Sequence, residues 1–248
     1  MVSSAVDTWD LSDGVVRGRW IGRFTVPQPQ LDCQVQNFPR LAPVTIDMPL
    51  SQLTPKGRAT RDRIVGEAAR LMFERGAAGT SIKDVKAAAG ISSSQLYHYF
   101  ADKQALVRAV IAHQTDAVLE AQQPLLGRLD SLEALRAWRD LAIEFQRRHH
   151  PGCPIGSLAG ELAKTDPEAC AAVADGFGCW ESAIRDGLLA MRERGDLHPG
   201  ADPDRLALAL LAALQGGLLL TQVRRQTAPL EAALDAMLDH IASFTEPA

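Results

Sequence analysis

Residues 79–106 read GTSIKDVKAAAGISSSQLYHYFADKQAL, and this stretch contains two helix starts eleven residues apart. Ser81 is followed three residues on by Asp84, and Ser92 by Gln95. In each pair the hydroxyl can accept the N3 amide while the N3 side chain reaches back to the cap amide, which fixes where a helix begins. Gly90 falls between the two and supplies the left-handed turn that ends the first. Ile82, Val85 and Ala89 share one face of the first short helix, and Leu96 and Phe100, four apart, share one face of the second. Ser93, Ser94, Gln95, Tyr97, His98 and Tyr99 are left outward. Upstream, TRDRIVGEAARLMFERG carries Ile64, Ala68, Leu71 and Met72 on one stripe, with Thr60 as its expected cap and Gly76 as its stop. Downstream, Asp102 is the expected cap of a fourth helix running through Leu106, Val110 and Ile111 towards Pro124.

Two short helices joined by a glycine turn and braced by a longer one make a helix-turn-helix unit, a geometry that presents its second short helix to the major groove. Charge supports that use. From Thr54 to Val110 there are ten Lys/Arg against five Asp/Glu, a net +5, which leaves −9 for the rest of a chain whose total is −4. A basic unit on an acidic body suits a polyanion partner. Small hydroxyls and an amide near a helix start can reach base edges, while tyrosine hydroxyls and lysines suit phosphate. Packing of Tyr97 and Tyr99 on neighbouring helices is the alternative reading of those two side chains.

Ala and Leu dominate the composition and strand-type runs are nearly absent, so an all-α fold is expected: a helix-turn-helix head over residues 54–110 and a helical body over 111–248. Residues 1–53 hold Trp9, Trp20, Phe24 and Phe38 without helical spacing and are broken by five prolines, so they are expected to be a poorly ordered extension. Met48, just ahead of the first helix, is a candidate translation start. No apolar segment follows a basic start as in a signal peptide. Cys33, Cys153, Cys170 and Cys179 are irregularly spaced, which argues for free thiols in the cytoplasm. No metal is expected, because His149, His150 and Cys153 lack ligand spacing. No cofactor is expected either.

In the body, Asp130 with Glu133 is the expected capping box of a helix carrying Leu132, Leu135, Trp138, Ala142 and Phe145. Pro151 and Gly152 break the chain before GCPIGSLAGELA, and a long helix is expected from Pro167 towards Gly195. Asp202 and Pro203 open another, with eighteen uncharged residues between Arg205 and Arg224. That length is at the low edge for a membrane span, and Gln215, Thr221 and Gln222 lie within it, so burial on all sides is expected instead. A helix apolar all round needs a second subunit to cover one face, and Gly216 and Gly217 would allow close approach. The last helix, from Pro229 to Phe244, offers a matching apolar face.

The segment from Thr60 to Ile111 resembles the DNA-binding domain of the tetracycline-repressor-like (TetR/AcrR) family of bacterial regulators. The resemblance rests on Thr60-Arg61, Phe73, Gly76, Thr80-Ser81, Ala89-Gly90-Ile91-Ser92, Leu96-Tyr97, Phe100, Lys103 and Leu106 in order. It implies a cytoplasmic homodimer, each subunit offering a recognition helix to half of a near-palindromic DNA operator, with a small-molecule effector bound in the body that releases the DNA. By position it implies that Thr80 or Ser81, Tyr97, Tyr99 and Lys103 contact phosphate and that Ser93, Ser94 and Gln95 face bases. The pattern departs from the common one at Ser94 and at His98-Tyr99, which bears on operator sequence. The GCPIGSLAGELA stretch is similar to a subgroup in which Gly-Cys opens the helix lining the ligand cavity. Cys153 there is either a thiol of lowered pKa or a small packing residue. Trp138, Phe145, Trp180 and Gln215 are the further candidates for the pocket.

The chain carries no convergent nucleophile, base and orienter, so an enzyme is not expected. The remaining rival is a helical ligand-binding or interaction module without sequence-specific DNA binding, against which the +5 segment argues.

Overall fold

A computed structural model describes residues 53–148, 152–162 and 166–245. The chain divides into residues 1–43 and 44–248, and every described residue belongs to the second unit. The expected extension over residues 1–53, Met48 included, lies outside the described residues except for Leu53, which is buried and accepts from Arg58 Nη1 at 2.6 Å.

Nine α-helices and no strand occur among the described residues. Helix α1 (Pro55–Arg75) starts earlier than the sequence reading placed it. Thr54 is the cap, its Oγ1 accepting the Gly57 amide at 3.1 Å, and Pro55 occupies the first turn, where its fixed φ and missing N–H cost nothing. Thr60 lies inside the helix and donates to the Lys56 carbonyl. Helices α2 (Ile82–Ala89) and α3 (Ser93–Tyr99) start where their capping boxes put them, both reciprocal bonds being present in each. Gly90 between them has φ +62°, the left-handed region that an L side chain resists. Leu96 and Phe100 are fully buried in the hydrophobic core, and the Arg61 guanidinium lies 5.4 Å from the Phe100 ring centre.

Helix α4 (Lys103–Glu120) is capped by Asp102, whose Oδ1 accepts the Ala105 amide at 2.7 Å. It packs on α1 near its start and on a second group of helices further along. These are α5 (Leu132–Arg148), α6 (Pro154–Leu162), α7 (Pro167–Arg194), α8 (Pro203–Arg224) and α9 (Ala228–Ala242). Ser131 rather than Asp130 opens α5, its hydroxyl accepting the Ala134 amide at 3.1 Å, because the Asp130 carboxylate is turned towards Arg194, 3.4 Å away. Asp202 with Pro203 opens α8 as expected, and Asp166 caps α7 ahead of Pro167.

Helix α7 is the centre of the body, packing on α4, α6 and α8. Two glycines set how close its neighbours come. A Cβ at Gly176 would lie 2.6 Å from Thr115 Oγ1 on α4, and one at Gly187 would lie 2.2 Å from the Leu129 carbonyl oxygen.

A single chain buries only part of α8 and leaves open one face, where the sequence reading calls on a second subunit. Leu206, Ala207, Leu210, Leu214 and Leu218 are buried against α7 and α9, but Leu208, Leu219, Leu220 and Val223 are exposed, Val223 by 72%. Ala212 and Gly216 are exposed on the same face, giving an open stripe at spacings of three and four. By length and composition α8 could cross a bilayer, and 44% of its most apolar window is buried inside the protein.

Gly187→Ala must displace backbone at Leu129, so the substitution is expected to destabilise the fold by about 1–3 kcal/mol, the ordinary cost of overpacking. A lower denaturant midpoint at unchanged slope checks this.

Candidate nucleic-acid interface and internal cavity

The outward face of α3 is short and polar. Ser93, Ser94, Gln95, Tyr97 and His98 are exposed, Tyr97 by 55%. Their freedom differs. Gln95 uses Oε1 to accept the Ser92 amide at 2.9 Å, and Ser93 accepts from Lys86 Nζ. Ser94 and Ser92 hydroxyls are 3.0 Å apart. Tyr99 is half-buried against the core with His98 edge-on to it, ring centres 5.0 Å apart, so Tyr99 packs while Tyr97 projects.

Three further residues singled out from the sequence sit differently from one another. Ser81 is exposed at the start of α2, with its hydroxyl bonded to Asp84. That bond and the one from the Ser81 amide hold the Asp84 carboxyl below its ordinary range. Thr80 is 1% exposed and donates to the Gly76 carbonyl at 2.8 Å, so it closes the α1–α2 turn rather than facing a ligand. Lys103 is half-buried, with its ammonium on the Ala77 carbonyl at 2.7 Å. Both point into the same turn, where the Ala77 carbonyl also accepts the Thr80 amide at 3.4 Å.

A cavity of about 190 Å³ lies in the body between α4, α5, the start of α6, α7 and α8. Phe145, Cys153 and Trp180 line it as expected. Trp138 does not, because its Nε1 is buried on Gln122 Oε1 at 2.7 Å. Gln215 lies instead on a neighbouring groove with Gly216 and Leu219, and Cys153 belongs to both walls. Sequence reasoning missed the α4 wall, Gln114, Ala117, Val118 and Ala121, although its three-and-four spacing was readable.

The turn into α6 is built by Gln146, whose Oε1 accepts the Gly152 amide at 2.7 Å and whose Nε2 donates to the Gly152 carbonyl at 3.3 Å. Gly152 has φ +123°, and a Cβ there would meet the Gln222 side chain at 2.8 Å, so only glycine fits. Cys153 follows directly. Burial pushes its thiol pKa up, outweighing the bonds from the Gly156 and Ile155 amides that would lower it. The thiol is therefore kept protonated, the opposite of the lowered-pKa reading of a cysteine at a helix start.

At its other end α6 touches the helix-turn-helix unit. Glu161 accepts the Ala77 amide at 2.7 Å and the Ala78 amide as well, in the same turn that Lys103 holds. One turn earlier on α6, the Ser157 hydroxyl donates to the Cys153 carbonyl at 3.0 Å.

Residues 64–110 match the model of bacterial regulatory proteins of the tetR family, and residues 131–237 match the tetracyclin repressor-like C-terminal domain. An HTH-type transcriptional regulator of Mycobacterium tuberculosis is 33% identical over 183 residues, 69% of this chain and 88% of its own. The chain belongs to the TetR family of transcriptional regulators. The HTH-type transcriptional repressor DhaR of a Mycobacterium species is 24% identical over 189 residues, covering 75% of this chain and 94% of its own. A TetR transcriptional regulator from Chloroflexus aurantiacus has the same fold, with a TM-score of 0.69 and 30% identity over 79% of this chain and all of its own. As a TetR-family member the protein is a DNA-binding regulator built on a helix-turn-helix, and the family forms dimers. No cluster of metal-ligating side chains occurs among the described residues.

Two measurements check this geometry. At pH 7, alkylation by iodoacetamide followed by peptide mass mapping is expected to modify exposed Cys179 at least about tenfold faster than Cys153 while the chain is folded. Glu161→Ala is expected to raise hydrogen exchange of the Ala77 and Ala78 amides about tenfold or more, leaving mid-α1 amides unchanged.

Proposed function

We propose that this TetR-family regulator is a cytoplasmic repressor whose head, residues 54–110, reads one half of a near-palindromic operator, and whose body, residues 111–248, binds a small, largely apolar effector and a second copy of the chain. In this reading Ser93, Ser94 and Gln95 face bases and Tyr97, His98 and Ser81 flank them towards phosphate. Thr80 and Lys103 are left with structural roles. The open stripe of α8, Leu208, Ala212, Gly216, Leu219 and Val223, is the subunit contact. Gly216 has open space around it, so a partner helix can approach there without displacing anything in this chain.

The observation that carries the proposal is continuity. Helix α4 begins in the head, at the Asp102 cap beside α3, and its later turns form one wall of the cavity. Helix α6 gives a second route, from Cys153 and Pro154 on the cavity to Glu161 on the Ala77–Ala78 turn. A molecule wedged between these helices acts on both at once. An effector that binds one spacing of the two heads better than the other shifts the population towards it, and heads no longer about 34 Å apart cannot occupy successive major grooves.

A gel shift with the DNA upstream of the protein's own coding region tests this. Binding is expected to survive excess nonspecific competitor and to weaken steeply with salt. Tyr97→Ala is expected to lower operator affinity about tenfold with little change in stability, because the side chain is exposed. Thr80→Val is expected to do the reverse, costing about 0.5–1.5 kcal/mol of stability while the folded protein keeps its operator affinity. Equal effects of the two substitutions on DNA binding would overturn the assignment of the face, and no preference for any upstream sequence would overturn the function.

A further inference from the structure

The turn between α1 and α2 is held from outside the head. Ala77 is 3% exposed, and among the backbone hydrogen bonds of the turn neither its amide nor that of Ala78 finds a carbonyl. Both donate to Glu161 at the end of α6, Ala77 to Oε2 at 2.7 Å and Ala78 to Oε1. A carboxylate suits two successive N–H groups, because each of its oxygens accepts and neither carries a proton. Gly76 makes room for it: its φ is +77°, and a Cβ there would lie 2.9 Å from Glu161 Oε2. The other side of the turn is tied to α4, since Lys103 donates to the Ala77 carbonyl at 2.7 Å, and Thr80 closes it on the Gly76 carbonyl. Ser81, the cap of α2, is the next residue.

These bonds bear on how the head sits on the body. Helix α4 is anchored in the body where Thr115 meets Gly176, a contact too close to admit a Cβ. Lys103 lies twelve residues earlier, about 18 Å along the helix. An anchor at one point fixes where the head is attached but not how it is turned. Apolar packing of α4 on α6 and α7 is non-directional, so it resists separation more than sliding. The Glu161 bonds are directional, charge-assisted and remote from the anchor, which is what setting an angle requires. Arg108 and Glu168 add a bridge of 2.8 Å between α4 and α7, but the Glu168 side chain is 73% exposed, and such surface pairs fix little.

Taking the head to be the operator-reading part of the chain, we infer that Glu161 is a positioning residue for DNA recognition: its carboxylate, received by the Ala77 and Ala78 amides, fixes the orientation of the head on the body. It acts through the turn and the α2 cap and touches no DNA itself. Without it the head stays folded on α4 but samples orientations of which only some place α3 in a groove. A dimer needs both heads placed at once, so if each is placed for about a third of the time, operator affinity falls about tenfold. Charge alone predicts the opposite sign, because deleting a carboxylate removes a repulsion of phosphate.

The test uses the full-length chain with Cys33 and Cys170 replaced by serine and spin labels on Ala88→Cys in α2 and on native Cys179 in α7, both exposed positions. Labelled chains are diluted in unlabelled ones, so that double electron–electron resonance reads the head-to-body distance within one subunit. Glu161→Ala deletes the carboxylate. Glu161→Gln keeps its volume and turns one acceptor into a donor aimed at an amide. The wild type is expected to give one narrow distribution, and both variants, folded by circular dichroism, one at least about twofold broader. Gel shifts with the upstream DNA are expected to show about tenfold weaker operator binding for both variants, with binding to unrelated DNA unchanged or slightly tighter.

The inference is overturned if either variant keeps the wild-type width, or if the wild-type distribution is already as broad as theirs. It is equally overturned if the distances spread while operator affinity holds. Failure of both variants to fold overturns it too, since Glu161 is then part of what builds the head rather than what orients it. If the chain recognises no operator, the repressor reading fails, and the distances alone decide whether Glu161 orients the head.

Discussion

The rest of the structure depends on α4 being one unbroken helix in one continuous core, packed on α1 and on α7. Its first turns, Ala105, Leu106 and Val110, complete the packing of α1, α2 and α3, and its later turns pack on α7 and wall the cavity. The close approach at Thr115 and Gly176 fixes the register of the second contact, because any side chain on Gly176 would separate the helices. A rigid rod held at both ends transmits displacement without needing a chain of intermediate side-chain changes. Close packing makes the alternatives discrete, since an interior at crystal-like density cannot deform gradually.

Polar groups divide the labour between head and body. In the head nearly every hydroxyl and amide near α2 and α3 is committed: capping boxes hold Ser81, Asp84, Ser92 and Gln95, and the Gly76–Thr80 turn is satisfied by Thr80, Lys103 and Glu161. That makes a stiff presentation of a seven-residue helix too short to stand alone. Among the described residues of the body, buried polar atoms on Thr115, Trp180 and Thr221 have no hydrogen-bond partner. They cluster on α4, α7 and α8, the helices that bound the cavity and the open stripe. Incomplete satisfaction is a cost in a rigid core but is what a region that exchanges partners carries.

Much of this was legible in the sequence wherever the signal was local. The capping boxes of α2 and α3, the Asp102 and Asp202 caps and the inward pair Leu96 and Phe100 depend on residues within one turn of each other, and they fold as read. The errors share one cause, competition between neighbouring candidates that only tertiary contacts resolve. Thr54 with Pro55 outcompetes Thr60, and Ser131 caps α5 once Arg194 engages Asp130. Thr80 and Lys103 look like surface groups by type, yet the turn at Gly76–Thr80 takes both inward. Trp138 and Trp180 are alike by sequence, and only the position of Gln122 decides which indole is satisfied. Glu161 was invisible as a contact of the head because 83 residues separate it from Ala78.

The central claim is that the shape of the cavity sets the separation of the two heads through α4. Double electron–electron resonance between spin labels on Ala88→Cys in the two subunits, with Cys33, Cys170 and Cys179 replaced by serine, measures that separation directly. Comparison is with the same dimer carrying Ala142→Phe, which fills the cavity from α5 without touching α4 covalently. A narrow distance distribution on operator DNA, compatible with recognition helices about 34 Å apart, that shifts by several ångströms when the cavity is filled is the predicted result. An identical distribution in the open and filled forms, or labels that never meet in a dimer, would contradict it.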